Sequence, residues 1–178
     1  MDEKYQGFYR VLSSRASWHA YNGGIYFVTI CTKDRVHYFG EISNGEMKLT
    51  EIGKITQKRI QQIAEHNPYA IIPLFVIMPN HIYLIAIIED VCRDVPWRVS
   101  TEGKNVIMQN IANKQGRLST MIGGFKQSIT RFARQNNIPF AWQPRFYDRI
   151  IRKTDDLNRI AEYIDTNVVR WEYDELYG

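Results

Sequence analysis

His81 and Tyr83 bracket Ile82 near the middle of the run Phe75-Val76-Ile77-Met78-Pro79-Asn80-His81-Ile82-Tyr83-Leu84-Ile85. In a strand, residues i and i+2 share a face, so the imidazole and the phenol point the same way. Two histidines at this spacing would form a pincer for a metal ion; here the second position is a phenol. A second chemical pair stands nearer the C-terminal end, where Tyr163 and Asn167 lie one helical turn apart on the flank of an apolar stripe. Taken singly, each residue has an ordinary explanation: a lone histidine is usually a hydrogen-bonded structural residue, and a flank tyrosine usually packs. His19, His37 and His66 show no metal-binding spacing to one another. In Ala141-Trp142-Gln143-Pro144-Arg145-Phe146-Tyr147-Asp148-Arg149-Ile150-Ile151-Arg152, aromatics alternate with arginines. Arginine binds phosphate bidentately and an aromatic ring stacks on an unpaired base, although Trp142 and Phe146 equally suit a strand's buried face.

These residues need elements to hold them. Asn22-Gly23-Gly24 marks a turn, and the β-branched and aromatic run Ile25 to Thr32 reads as a strand. Asn44-Gly45 signals a hairpin within residues 34–50. Thr50 is a candidate N-cap for a helix of about four turns carrying Ile52, Ile55, Ile60 and Ile63, ended by Asn67-Pro68. Tyr69 to Met78 and His81 to Ile88 form two further strands joined at Met78-Pro79-Asn80. His81 to Ile88 is apolar on both faces beyond Tyr83, the pattern of a central strand covered on both sides. Leu118, Ile122, Phe125, Ile129 and Phe132 follow helical spacing, with Ser119 as N-cap and Lys126, Arg131 and Arg134 on the same helix. Phe140 to Ile151 is extended. Thr154 is expected to cap a last helix whose stripe is Leu157, Ile160, Ala161, Ile164 and Val168. The order strand, helix, strand, strand, helix, strand, helix predicts an α+β fold, one mainly antiparallel sheet with helices packed on it.

The 178 residues suit a single domain, with residues 1–22 as an N-terminal arm and 89–116 as a variable loop segment. No apolar run is long enough to span a membrane. Residues 1–5 lack a signal-peptide core, and Cys31 and Cys92 have no metal or redox spacing, so a cytoplasmic protein with reduced thiols is expected. The net charge of +4 is unevenly spread. From Arg117 to Lys153 there are eight basic residues and one acid, so that stretch is +7 and the remainder −3. Such a block suits a polyanion, nucleic acid above all, or is simply a solvated basic face.

Four motifs in order, "FVIMPNHIYLI", "LSTMIGGFKQSITRFAR", "FAWQPRFYDRIIR" and "LNRIAEYIDTNVVRW", resemble the single-tyrosine HUH transposases, including the REP-associated tyrosine transposases. The resemblance runs from Gly24 to Trp171. It implies a ferredoxin-like or RRM-like sheet with a catalytic helix. It also implies a divalent metal (magnesium or manganese) bound through His81 and Asn167, and Tyr163 as the nucleophile that attacks a phosphate of single-stranded or hairpin DNA. Lys126, Arg131, Arg134, Trp142, Arg145, Arg149 and Arg152 would hold the DNA. Tyr83 stands where the family has its second histidine, and a neutral phenol is a weak ligand for these metals, so an active enzyme needs a carboxylate, amide or water in that place. Asn167-Val168 replaces the family's Asn-Pro, and neither Tyr147 nor Arg149 is the histidine that related sequences often carry. Family members occur as monomers and as homodimers, and this sequence does not choose between them.

Three functions follow. The first is a metal-assisted transposase that cleaves and rejoins DNA through a 5′-phosphotyrosine. The second is a domesticated DNA-binding module of the same fold that has lost cleavage. The third, an RRM-type RNA-binding sheet, rests on fold analogy alone and lacks the aromatic RNP pattern.

Overall fold

A computed structural model describes residues 23–89 and 116–177, together with two short strands, β1 (Lys4–Tyr5) and β2 (Phe8–Tyr9), that pair antiparallel with each other. The remainder of the expected arm and all but the ends of the 89–116 segment lie outside the described residues. The main sheet holds β3 (Gly24–Cys31), β6 (Ala70–Ile77), β7 (His81–Ile88) and β8 (Tyr147–Ile151) in the order β6-β7-β3-β8, with every pair antiparallel. Taking those four strands in chain order, the spatial order is second, third, first, fourth. That is the ferredoxin-like arrangement, with the helical crossovers between the first and second strands and between the third and fourth. The mainly antiparallel α+β architecture read from the sequence is the one observed.

The local chemistry accounts for each element. β4 (Gly40–Ser43) and β5 (Glu46–Leu49) form the hairpin. Asn44 and Gly45 both have positive φ, 55° and 74°, as the tight two-residue turn demands. Thr50 caps α1 (Glu51–Gln61) as expected: its Oγ1 accepts from the Gly53 amide at 3.1 Å while donating to the Tyr38 carbonyl at 2.7 Å. The predicted four-turn helix is broken at Gln62, beyond which α2 (Ile63–His66) adds one turn. The edge strand β6 tolerates Pro73 because the register shifts between Ile71 and Leu74.

Two helix starts differ from the sequence reading. α3 (Arg117–Gln135) begins two residues before Ser119, with Gly116 at φ 75° as the cap residue, which puts Ser119 inside the first turn. Arg117 Nη1 donates to the Glu89 carbonyl at 2.7 Å, a tertiary tie that fixes the start and that periodicity does not show. α4 (Thr154–Thr166) includes Thr154 as its first residue. Lys153, in extended conformation, takes the cap position with no side-chain hydrogen bond, and Asp155 and Asp156 put negative charge in the first turn instead.

The sheet separates two apolar layers. On one face Tyr26, Val28, Ile30, Ile82, Leu84, Ala86 and Ile88 pack under α1 and α3, which contribute Ile52, Ile60, Leu118, Met121, Ile122, Phe125 and Ile129. On the other face Ile25, Phe27, Leu74, Val76, Tyr83 and Ile85 pack under Leu157, Ile160, Ala161 and Ile164 of α4. Among the described residues no helix is long and apolar enough to cross a membrane.

At Gly53 the backbone of α1 passes so close to the hairpin that an added Cβ would lie 2.1 Å from the Phe39 carbonyl oxygen. Glycine to alanine in an open helix interior usually stabilises by roughly 0.5–1 kcal/mol. Gly53→Ala is expected to have the opposite sign, a loss of about 1–3 kcal/mol from overpacking, measured by urea denaturation. A gain would show that this contact is not present.

Candidate active site and cation cradle

The pleat of β7 directs His81 and Tyr83 to the α4 face, and both are buried. Their rings meet edge to face with centroids 4.4 Å apart. Tyr163, on α4, reaches over the same spot: its hydroxyl lies 3.2 Å from that of Tyr83 and the ring centroids are 5.3 Å apart. Phe27 supports both rings, stacked on Tyr83 and edge-on to Tyr163. Asn167, at the C-terminal end of α4, is 2% exposed. Four residues that the sequence left in two separate motifs thus come together, and Tyr163 alone of the four opens to solvent, at 39%.

At their centre is a residue that sequence reasoning missed. After α4 the chain turns through a 3-10 helix, Trp171–Tyr173, which delivers Asp174 into the cluster. Asp174 Oδ2 accepts from Tyr163 Oη at 2.8 Å and from Asn167 Nδ2 at 2.9 Å; Oδ1 accepts from the Leu176 amide at 2.7 Å. Tyr83 Oη lies 3.2 Å from Oδ2 and 3.4 Å from Oδ1. Each phenol has one proton and both aim it at the carboxylate. No spacing signal marks Asp174: it is one of three acids, with Glu172 and Glu175, in the turn after α4, and only the return of the chain over β7 gives it a role.

The hydrogen-bond network assigns the His81 tautomer. Asn80 Nδ2 donates to the Leu176 carbonyl at 2.9 Å, so Asn80 Oδ1 is the atom that faces His81 Nδ1 at 2.7 Å. An amide oxygen only accepts, hence Nδ1 carries the proton and Nε2 carries a lone pair. Nε2 is buried without a hydrogen-bond partner and lies 3.8 Å from Asp174 Oδ1. Asn167 Oδ1 is likewise buried and unpartnered.

Burial controls the titrations. It pushes the His81 imidazole down to about 4, against the pull of the Asp174 carboxylate and with help from Arg35 and His37. Tyr83 is driven far above the usual phenol range by burial, then by Tyr163 and Asp174. Tyr163 is also raised, by burial first, with Asp174 adding to the effect and Tyr83 opposing it. Asp174 is held low because its hydrogen bonds from Asn167, Leu176 and Tyr163, with the charge of His81, outweigh its burial. At neutral pH the site therefore has a neutral imidazole, two neutral phenols and one carboxylate.

Two orphaned acceptors and a carboxylate suit a divalent cation: an imidazole nitrogen, a carboxylate and an amide oxygen are all ligand types for such ions. Asn80, bonded to the far nitrogen of His81, fills the outer position that orients a ligating histidine. Among the described residues no three His, Cys, Asp or Glu side chains cluster, so the amide of Asn167 is needed for a third protein ligand. His37, which had no role by spacing, packs on Trp171, and Trp171 packs on His81.

The basic stretch does not form one surface. Arg131 and Arg134 are exposed on α3, which covers the sheet face opposite Tyr163. Lys126, expected to hold DNA, is committed internally: Nζ donates to the carbonyls of Gln143 and Arg145 at 2.7 and 2.8 Å and sits over Trp142, and burial lowers its pKa to about 8. Trp142 is half-buried among Phe39, Phe125 and Phe140, with Nε1 donating to the Lys126 carbonyl at 3.1 Å. Of the two readings of this segment, Trp142 takes the core one. On β8, Tyr147 pairs with Thr29, which pairs with Tyr83, and Arg149 pairs with Phe27, so both stand on the Tyr163 face. Tyr147 is 61% exposed. Arg145 and Arg152 are exposed at either end of β8.

No protein-family profile matches the chain. It is 33% identical to an uncharacterized protein of Haemophilus influenzae over 181 aligned positions, covering 99% of both chains. A second Haemophilus influenzae relative, a candidate REP-associated tyrosine transposase by its name, is 25% identical over 161 positions, 86% of this chain and 75% of the relative. In sequence the chain is thus similar to a REP-associated tyrosine transposase. The fold agrees. The solved structure of a REP-associated tyrosine transposase bound to a REP hairpin superposes with a TM-score of 0.58 at 19% identity, covering 92% of this chain and 77% of that one.

The buried imidazole makes stability pH-dependent. His81 binds a proton near pH 6.5 when unfolded but only near 4 when folded. Between those values the unfolded chain holds more protons, so stability is full above about 6.5 and is lost as the pH falls. Asp174, with a depressed pKa, adds a loss in the same direction below about 3.8. Urea midpoints in EDTA are expected to fall from pH 6.5 to 4, by on the order of 3 kcal/mol at most, and His81→Gln to flatten that dependence. A parent profile that is flat across this window would contradict a neutral buried His81.

Proposed function

We propose that this protein binds single-stranded hairpin DNA and cleaves and rejoins it, with metal assistance, through a 5′-phosphotyrosine on Tyr163, as the strand-transfer step of DNA transposition. The observation that carries this reading is the position of the Tyr163 hydroxyl. Tyr163 is a partly exposed residue whose hydroxyl is oriented by Asp174 at 2.8 Å, in the same cluster as the buried His81 and Asn167. Similarity to a REP-associated tyrosine transposase supports a transposase-like activity, and the hairpin in the solved neighbour supports the choice of DNA partner.

The residues divide the work. Tyr163 Oη bonds to the scissile phosphorus while the bond from phosphorus to the 3′ oxygen breaks. The phenol proton passes overall to the departing oxygen, leaving a 5′-phosphotyrosine and a free 3′-hydroxyl, and the covalent link keeps the bond for rejoining. Asp174 orients the phenol by accepting its hydrogen bond. His81 and Asn167 would hold the magnesium or manganese ion, which when bound neutralises phosphate charge and stabilises the leaving oxygen. Arg149, 4.0 Å from Asp156 Oδ1, would bind backbone phosphate, and Tyr147 would stack on an unpaired base.

A second reading, a DNA-binding module without cleavage, draws on Tyr83 at the position of the second histidine and on the raised pKa of both phenols. Labelled hairpin oligonucleotides with a randomised flank, incubated with manganese or magnesium and run on denaturing gels, separate the two. The expected result is a covalent adduct that disappears in Tyr163→Phe. An adduct seen in Tyr83→His but not in the parent would favour the binding module. Neither an adduct nor hairpin binding would remove both.

The sheet geometry also sorts the arginines. Arg149→Ala is expected to weaken hairpin binding and reduce the slope of log affinity against log salt by about 1, whereas Arg131→Ala, on the opposite face, leaves both unchanged. Fluorescence anisotropy at several salt concentrations reads this, and equal losses in both variants would refute the assignment of the DNA to the Tyr163 face.

A further inference from the structure

We propose that Asp174, rather than Tyr83, is the anionic ligand that completes the cation site with His81 and Asn167, and that Tyr83 is a positioning residue for that carboxylate. The proposal deepens the metal-assisted reading above and rests on it for the kind of ion.

Geometry is the first support. A protonated Nδ1 on His81 leaves the Nε2 lone pair facing Asp174 Oδ1 across 3.8 Å, with no donor between them. Two acceptors so placed repel unless a positive centre joins them. That distance is too long for a hydrogen bond and too short for an intervening water to sit linearly. Among the described residues His81 is the only basic side chain within 4.0 Å of the Asp174 carboxylate. Asn167 places a third acceptor, Oδ1, in the same buried cluster without a partner.

The second support is how the two atoms are held. One amide positions both: Asn80 Oδ1 fixes the His81 ring, and Asn80 Nδ2 holds the Leu176 carbonyl. The Leu176 amide in turn binds Asp174 Oδ1 at 2.7 Å. A shared outer tie of this kind is what keeps ligating groups aimed at one point. Tyr83 contributes differently. It is neutral and directs its hydroxyl at the carboxylate. A phenol that donates to the ligand need not itself touch the ion. The change from histidine to tyrosine at the second pincer position is thus matched by a carboxylate brought in from the C-terminal turn.

The test is Mn2+ binding to the full chain without DNA, read from the electron paramagnetic resonance signal of free Mn2+. The parent is expected to bind one ion, and Asp174→Asn to weaken binding by at least about 10-fold, the loss typical of disturbing even an outer partner. Tyr83→Phe, which retains the ring and removes only the hydroxyl, should weaken binding clearly less than Asp174→Asn, because it removes a hydrogen bond to the ligand and not the ligand itself. Circular dichroism checks that each variant is folded. If Asp174→Asn is not, the Asp174→Asn/Tyr83→His double variant, which restores a second imidazole, is expected to fold and bind Mn2+ while Tyr83→Phe still reads the phenol. Undiminished affinity in Asp174→Asn, a loss in Tyr83→Phe as large as a ligand's, or no Mn2+ binding by the parent would each overturn the proposal. Tyr163→Phe should bind Mn2+ normally even though it forms no DNA adduct. Metal binding without any adduct in the parent would therefore defeat the strand-transfer reading and leave this one standing, and an adduct without Mn2+ binding would do the reverse.

Discussion

The pleat of β7 governs this protein. Side chains alternate across a strand, and β7 is an interior strand with covered faces, so each of its residues is committed to one of two layers. Ile82, Leu84, Ala86 and Ile88 enter the layer under α1 and α3; His81, Tyr83 and Ile85 enter the layer under α4. A slip of one residue would drive the imidazole into the larger apolar layer and expose that layer's isoleucines to the polar cluster. The turn Met78-Pro79-Asn80 opposes such a slip: Met78 N bonds the His81 carbonyl, and the carbonyls of Pro79 and Asn80 accept from Phe39 and Thr32. The same turn supplies Asn80, which orients the imidazole, so register and chemistry are set by one short segment.

Within the α4 layer the dominant electrostatic fact is a carboxylate held in a largely buried place. A charge there costs several kcal/mol unless it is answered by donors. Asp174 has two phenols, an amide and a backbone N–H. Those donors keep it ionised, and its charge in turn keeps the phenols protonated. The result is an acceptor-rich centre in which the histidine is neutral, a state suited to ligation, with Tyr163 at its solvent-facing rim.

Sequence comparison and geometry carry different parts of the functional conclusion. The relatives show a likeness to a REP-associated tyrosine transposase and the solved neighbour supports the fold. Neither speaks for Tyr83 or Asp174. Those rest on distances in this chain, where the phenol at position 83 meets a carboxylate from a distant part of the sequence. The distribution of basic residues shows the same division. A stretch that is +7 in sequence is split by the sheet, with Arg149 on the Tyr163 face, Arg131 and Arg134 behind it, and Lys126 absorbed into the loop before β8.

Much of the framework was legible from local chemistry. β-Branched, aromatic and continuous apolar runs located the strands, Asn44-Gly45 the hairpin, Thr50 the start of α1, and the shared face of His81 and Tyr83 followed from the pleat alone. The caps of the helices that start at Arg117 and Thr154 were misplaced by three residues and by one, because a capping side chain is only one way to satisfy free amides, and tertiary ties or acidic first turns serve as well. Two motifs, one on β7 and one on α4, were visible separately, but nothing local says that Tyr163 lands 3.2 Å from Tyr83. Asp174 was invisible because nothing in its spacing sets it apart from its neighbours Glu172 and Glu175. Its role comes from the chain folding back over β7, a long-range contact that the sequence determines only through the whole fold.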